Sequence, residues 1–170
     1  MKRAKLPTKA HCDKFPRSRR SFRQLRASFA PVFSAEGPRL NNPAGHLDPA
    51  ESPAQACARE ALEETTHLFT PTHLVGVYLS RFQRESTGED ITYLRLAFSG
   101  TLGDVQPGCT LDAGIVRTVW MSPSEVRASQ DRHRSPLVLR CIEDHLAGQR
   151  HGLDLVYTDA AVAGLGPLRP

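Results

Sequence analysis

The chain has 170 residues, of which 39% are apolar and 24% charged, and its formal net charge is +4. This length is enough for one domain with a hydrophobic core. No run of 18 apolar residues occurs, so no transmembrane helix is predicted. The four cysteines form no Cys-x-x-Cys pair, and we expect reduced thiols in a cytoplasmic protein, neither zinc ligands nor a disulfide framework.

The charge is distributed unevenly along the chain. Residues 1–40 carry 11 of the 22 Lys and Arg residues and two of the 18 acidic ones, a balance of +9, whereas the remainder has a balance of −5. This basic run suits a poorly ordered tail, a nucleic-acid arm or an organelle transit peptide, and residues 30–35 suit an unusual first strand. The acidic remainder argues against nucleic acid as the main partner.

The domain organisation follows from this contrast. We expect a basic, poorly ordered segment over residues 1–38, a folded domain over 39–157 and a loose tail over 158–170. No alternation of Val and Ile precedes residue 39. N-terminal strands are therefore expected to be missing or irregular.

A well-marked helix begins after Ser52. Ser52 is a good N-cap, Pro53 fits the first helical position, and Gln55 completes a capping box with Ser52. Small apolar residues form an arc along this helix that is able to pack closely on a sheet. These residues are Ala54, Cys57, Ala58, Ala61 and Leu62.

The same helix carries Glu60, Glu63 and Glu64 at positions i, i+3 and i+4, which are neighbours on one face. Without a counter-charge, each such pair destabilises the helix by roughly 0.2–0.5 kcal/mol. Carboxylates without His or Cys partners suit a hard cation such as Mg²⁺ or Mn²⁺. The alternative is a solvated acidic face with no ligand.

The rest of the chain predicts several strands and two helices. A long hairpin is expected from residues 73–83 and 91–102, with a turn at 86–90, followed by a strand at 115–121. A capping box at Ser122 and Glu125 opens a short helix to about residue 129. A second helix is expected over 135–148, and a short strand over 153–157.

The spacing of these residues resembles the signature of the Nudix hydrolases. Gly45 is followed after five residues by Glu51, and after seven more by Arg59-Glu60-Ala61-Leu62-Glu63-Glu64. Thr66 stands where the family usually has Gly, and a left-handed Thr costs on the order of 1–2 kcal/mol. His67 replaces an aliphatic residue. The resemblance implies an α+β fold, a Nudix-type α/β/α sandwich with a mixed β-sheet.

Over residues 39–146 the chain is similar to the NudJ-type branch of bacterial phosphatases. The similarity is carried by residues 40–47, 93–95, 119–120 and 134–138. It implies Mg²⁺-dependent hydrolysis of a phosphoanhydride, in a nucleoside di- or triphosphate or a thiamine-type pyrophosphate, through attack of metal-activated water on phosphorus. We expect the protein to bind a small phosphorylated substrate and no membrane. We also expect it to be a monomer or a homodimer.

Two alternatives to this enzyme remain. The chain is also compatible with a catalytically impaired Nudix-like module that binds a phosphorylated ligand without turnover. It is compatible as well with a nucleic-acid-associated protein that uses the basic N-terminal arm.

The resemblance also implies roles for individual residues. The metal ligands are Glu60, Glu63, Glu64 and the carbonyl of Gly45. Arg59 orients a motif carboxylate, and Glu51 braces the junction between loop and helix. Asp112 is the first choice for a general base from outside the motif, with Glu89 and Asp90 as weaker ones. Contacts to substrate are expected from Arg81, Arg95, Arg134 and Tyr93, whereas His133 is expected at the surface.

Overall fold

The computed structural model describes the backbone of residues 28–34 and 37–162, and the side chains of residues 39–162. Most of the predicted basic segment and the end of the predicted C-terminal tail lie outside the described residues. The described chain combines strands and helices, which confirms the α+β class.

Two strands precede the motif. β1 (Ser28–Ser34) and β2 (Gly37–Asn41) pair antiparallel, and the other edge of β1 pairs with β5 (Val119–Trp120). β1 agrees with the alternative of a first strand through residues 30–35. Its pairing with β2 was not predicted, because residues 29–33 are apolar at every position and do not alternate with polar residues. The hairpin leads the chain directly into the loop that carries Gly45.

Helix α1 spans Pro53–Thr65 and begins as predicted. The hydroxyl of Ser52 accepts a hydrogen bond from the backbone N–H of Gln55 at 3.2 Å, and the Gln55 side chain accepts one from the N–H of Ser52 at 2.8 Å. The helix ends at Thr66, whose φ of 60° is left-handed. Thr66 therefore adopts the conformation for which the family uses Gly, and it carries the strain.

A long antiparallel hairpin of β3 (His67–Gln83) and β4 (Asp90–Val105) follows at once. Both strands are longer than predicted, because β3 starts directly after the helix and β4 continues to pair with that added part. The ladder is irregular in three places between His67 and Gly76. At the hairpin tip, ion pairs join Arg81 to Asp90 and Arg84 to Glu89.

Two helices complete the domain. α2 (Pro123–Ala128) has the predicted capping box at Ser122, and α3 (Leu137–Leu146) buries Val138, Cys141 and Ile142. Val126, Val138 and Ile142 form a core cluster between them. α1 packs against β3 and β4, and α3 packs against β3.

Three expectations are corrected in this part of the chain. Residues 153–157 form no strand but a short 3₁₀ turn at Leu153–Leu155, because the chain leaves β3 after one bridge between Leu74 and His151. The strand expected at 115–121 is reduced to β5. His133 is buried and not at the surface, because it forms a parallel bridge with Leu40.

Two further predictions from sequence were that the cysteines are reduced and that no helix crosses a membrane. Cys57 and Cys141 are free thiols, as expected, whereas Cys109 is disulfide-bonded, so the expectation of reduced thiols is wrong for Cys109. In the described part of the chain, every helix falls short of the length and apolar character needed to cross a membrane.

Candidate active site

The loop between β2 and α1 lies against the acidic edge of the helix. The backbone N–H of Ala44 donates a hydrogen bond to Glu64 Oε2 at 3.1 Å. The next residue, Gly45, lies so close to the Glu60 carboxylate that a Cβ atom at this position would collide with it. Gly45 is therefore required by a close approach of the backbone to a carboxylate.

Arg59 connects this loop to the helix. Its Nη1 atom donates to Glu60 Oε1 at 2.5 Å and to Glu63 Oε2 at 3.0 Å. Its Nη2 atom donates to Glu51 Oε1 at 2.7 Å and to the carbonyl of His46 at 3.0 Å. One guanidinium thus contacts three carboxylates and the loop backbone, which the fork of donors in Arg permits and a Lys ammonium would not.

Glu51 joins the loop to the helix from the other side. Its carboxylate accepts both from Arg59 and from the backbone N–H of Asp48, the latter at 2.7 Å. The hydrogen bond from Arg59 is the main reason that the pKa of Glu51 lies below its usual value. The same contacts raise the pKa of Arg59, so its charge is permanent.

Glu64 has a different environment. Its side chain is only 8% exposed, and burial raises its pKa to about 7. The negative charges of Glu60 and Asp112 act in the same direction, while the Ala44 N–H and the positive charge of Arg134 oppose them. Burial thus makes the Glu64 carboxyl harder to ionise than an ordinary exposed glutamate in the metal-free protein.

Later parts of the chain close around the end of α1. The backbone N–H of Asp112 donates to the carbonyl of Glu63 at 2.8 Å, and the Thr118 hydroxyl donates to the carbonyl of Glu64 at 3.3 Å. The N–H of Arg134 donates to the carbonyl of Leu40 at 2.9 Å, beside the start of the Gly45 loop. Asp112 and Arg134, predicted from sequence, therefore lie near Glu64.

Two further residues predicted to contact substrate are Arg81 and Arg95. The Arg81 side chain is 75% exposed and pairs with Asp90 at the hairpin tip. Arg95 lies beside Cys141 and lines a cavity of about 150 Å³ between α1, the hairpin and α3, which Ala44 also lines. Within the part of the chain that the structure describes, the buried Nη1 atom of Arg95 has no hydrogen-bond partner. The weaker base candidates Glu89 and Asp90 are occupied by Arg84 and Arg81.

Sequence reasoning missed three residues that contact the site. They are Ala44, His46 and Thr118, which contribute an N–H, a carbonyl and a hydroxyl. Backbone groups leave no mark in the sequence, so only the turn signal at Pro43 and Gly45 pointed to this loop. Tyr93, which was predicted, contacts the ring of His46 and lies beside the same loop.

The side chains at this site are of the kind that bind a divalent cation. Glu60, Glu63 and Glu64 supply carboxylate oxygens, and the absence of a Cβ at Gly45 leaves its backbone accessible to the Glu60 carboxylate. Such oxygens are the ligands that Mg²⁺ and Mn²⁺ prefer. As they stand, no three acidic, His or Cys side chains among residues 39–162 form a group able to hold a metal ion, since Arg59 lies between Glu60 and Glu63.

Comparison with known proteins gives consistent results. The NUDIX domain family matches residues 26–141, a range that begins before the resemblance seen from residue 39 and includes β1 and β2. Phosphatase NudJ of Escherichia coli K12 is 32% identical over 116 residues, which cover 68% of this chain and 72% of that protein.

Solved structures show the same relationship. A NUDIX hydrolase from Nitrosomonas europaea is 46% identical, with a TM-score of 0.70 over 78% of this chain and 87% of the other. The MutT protein from Methanosarcina mazei Go1 is 19% identical, with a TM-score of 0.50 over 72% of this chain and 85% of the other, and it supports the fold alone.

Proposed function

The chain belongs to the Nudix family of hydrolases, which act on phosphorus anhydrides and generally use divalent metal ions, and from this premise we propose a specific reaction and site. The reaction is Mg²⁺-dependent hydrolysis of the phosphoanhydride in a nucleoside di- or triphosphate or a thiamine-type pyrophosphate. Mn²⁺ is the second candidate metal. The cytoplasmic location and the monomeric or homodimeric state stay predictions from the sequence.

One observation carries the proposal. Glu60 and Glu63 share a single nitrogen of Arg59, and Glu60 also lies against Gly45, while Glu64 is tied to Ala44. Each of the three carboxylates is thus tied either to Arg59 or to the loop backbone, at the place where the loop crosses the helix. A solvated acidic face would instead point its carboxylates to water, as ordinary surface glutamates do.

The metal would be held by Glu60, Glu63, Glu64 and the Gly45 carbonyl. When bound, a divalent ion there neutralises phosphate oxygens and lowers the pKa of a water ligand. Arg59 balances the carboxylates in the free protein and orients them. Glu51 fixes Arg59 through two hydrogen bonds, and so it acts as a positioning residue.

The proton of the attacking water needs an acceptor. Asp112 is our proposed general base, because its backbone is anchored to Glu63 and its charge acts on Glu64. Arg134 is the proposed phosphate contact, since its charge acts on the same carboxylate and its backbone is held to Leu40. The positions of Arg81 and Arg95 give no support for their proposed contact with substrate.

The experiment is a substrate panel in isotopically labelled water. Phosphate release is measured from nucleoside di- and triphosphates and from thiamine pyrophosphate, with Mg²⁺ and with chelator, in H₂¹⁸O. The proposal predicts metal-dependent release with ¹⁸O in one phosphorus-containing product, because water attacks phosphorus. Release that is unaffected by chelator, or ¹⁸O in the organic alcohol, would refute it.

A binding function without turnover is the second candidate. The observation that favours it is the guanidinium of Arg59 between Glu60 and Glu63. In that case the folded protein would bind a non-hydrolysable diphosphate but release no phosphate from any compound in the panel.

A further inference from the structure

Three aromatic rings form a row beside the Gly45 loop. The rings of Phe82 and Tyr93 are stacked with centroids 5.5 Å apart and an interplanar angle of 28°. The ring of His46 continues the row, with its centroid 5.9 Å from that of Tyr93. The row therefore runs from the hairpin of β3 and β4 to the loop over α1.

This row ends at the candidate active site. His46 directly follows Gly45, and its carbonyl accepts a hydrogen bond from Arg59 at 3.0 Å. Arg59 in turn contacts Glu60 and Glu63. Tyr93 is thus linked through His46 and Arg59 to the carboxylates that would hold the metal and its diphosphate.

The rings are also accessible. Phe82 is 43% exposed and Tyr93 is 37% exposed, and His46 is exposed as well. At the hairpin tip beyond them, the Arg81 Nε atom donates hydrogen bonds of 2.8 and 3.0 Å to the two carboxylate oxygens of Asp90. The rings are therefore presented by a strand pair that is linked at its tip, and each ring is partly open to solvent.

Hairpin packing alone accounts for part of this arrangement. Phe82 pairs with Ile91 and Tyr93 pairs with Ser80, so the two rings are diagonal neighbours on one face, and such pairs stabilise a hairpin. It does not account for His46, which belongs to a different segment. The continuation of the row onto the loop next to Gly45 is what points to a ligand.

We propose that His46, Tyr93 and Phe82 form a ring-binding subsite that selects phosphoanhydrides carrying a heteroaromatic ring over those without one. This inference rests on the proposed function, because it places the diphosphate at the acidic edge of α1. Stacking of a ring on an aromatic side chain tolerates different bases, since each has a π-face. The subsite would accept purine, pyrimidine and thiamine-type rings, and it would give alkyl diphosphates no such contact.

The test uses two diphosphate analogues, of which only one carries a nucleoside. Affinities for α,β-methylene-ADP and for methylenediphosphonate are measured by calorimetry in the presence of Mg²⁺, for the full chain and for three variants. Tyr93→Ala removes the ring, and Tyr93→Phe keeps it. Leu94→Ala is the matched control, because Leu94 is an exposed neighbour on the opposite face of the hairpin.

The subsite predicts a selective loss. Tyr93→Ala should weaken the affinity for α,β-methylene-ADP about tenfold and change the affinity for methylenediphosphonate by less than about twofold. Tyr93→Phe and Leu94→Ala should bind both ligands with the affinity of the unmodified chain. Equal losses for the two ligands would show a structural role and overturn the inference, as would unchanged affinity for α,β-methylene-ADP.

Turnover separates this inference from the proposed function. If the unmodified chain hydrolyses ADP and an alkyl diphosphate with equal kcat/KM, the reaction stands and the ring subsite is refuted. If it binds α,β-methylene-ADP through Tyr93 but hydrolyses nothing, the subsite stands and the proposed reaction fails.

Discussion

Glu64 Oε2 accepts a hydrogen bond from the backbone N–H of Ala44 at 3.1 Å, and this contact joins the end of helix α1 to the loop that precedes it. The residues are 20 positions apart, and the loop between them carries Gly45, His46 and Glu51. Burial of Glu64 raises its pKa to about 7 through loss of hydration, and the hydrogen bond from Ala44 acts in the opposite direction. The loop, Arg59 and the end of α1 are arranged around this contact, and substitutions in each of them have distinct expected effects.

Glu64→Gln should remove the stabilisation that Mg²⁺ gives to the fold. A ligand that binds only the native state adds about 1.4 kcal/mol when its concentration is ten times its Kd. The unmodified chain should melt at a higher temperature with Mg²⁺ than with chelator. Glu64→Gln should show almost no such difference, although the amide still accepts from Ala44, and an equal Mg²⁺ response in both proteins would contradict the assignment of Glu64.

Arg59→Ala should destabilise the metal-free protein by about 2 kcal/mol, measured by urea denaturation. The reason is that Glu51, Glu60 and Glu63 would lose their shared counter-charge in a partly buried site. Arg84→Ala is the control, because it breaks an exposed pair with Glu89 and should cost less than about 1 kcal/mol. Equal effects of both substitutions would show that the Arg59 contacts are ordinary surface pairs.

Gly45→Ala should weaken metal binding while the fold survives. The added Cβ displaces the end of the Glu60 side chain, which is flexible, so the main effect falls on the position of the carboxylate. We expect the Mg²⁺ concentration for half-maximal phosphate release to rise about tenfold, which corresponds to 1.4 kcal/mol. An unchanged Mg²⁺ dependence would mean that Glu60 is not held against this backbone for metal binding.

Thr66→Gly should stabilise the protein by about 1 kcal/mol. Thr66 has a φ of 60° at the end of α1, a conformation that costs a residue with Cβ about 1–2 kcal/mol, offset by the hydroxyl bond to Thr65. Thr66→Ala is the comparison, because it removes the hydroxyl but keeps the strain, and it should not stabilise. Urea midpoints that fall for Thr66→Gly would contradict this explanation.

The pair of Glu51 and Arg59 predicts a pH dependence of stability. Arg59 lowers the pKa of Glu51 in the folded chain below its value of 4.5 in the unfolded chain. The unfolded state therefore binds the proton more readily, so the contribution is complete above about pH 4.5 and is lost as the pH falls through the lower folded pKa.

The corresponding measurement compares thermal unfolding of the unmodified chain and Glu51→Gln between pH 3 and 7. The difference in melting temperature should be largest at pH 6–7 and should shrink below pH 4.5. A difference that is constant over this range would show that the charge of Glu51 is not involved.

Local contacts in this protein were predictable from sequence, because they join residues at fixed helical spacing. Arg59 and Glu63 are four residues apart, and Ser52 and Gln55 form their capping box within one turn. The spacing of such contacts is set by the geometry of the helix backbone, so the residue types at these positions are enough to predict them. The acidic edge of α1 and the start of the helix were predicted for that reason.

Contacts between distant segments were not predictable in the same way. The bond from Ala44 to Glu64 involves a backbone N–H, and the contact of His46 with Tyr93 depends on how the hairpin lies over the loop. The position of Arg95 was not predictable either, since its strand places it beside Cys141 in a cavity that Ala44 also lines. The pairing of β1 with β2 was missed because side-chain alternation is absent there.

The most direct test of the proposed reaction is phosphate release from ADP by the unmodified chain and by Glu64→Gln, each with Mg²⁺ and with chelator. The site predicts release by the unmodified chain with Mg²⁺ only, and a loss of about 100-fold or more in Glu64→Gln, because one metal ligand is removed. Glu64→Gln that is folded and retains most of the Mg²⁺-dependent activity would contradict the central role of this carboxylate.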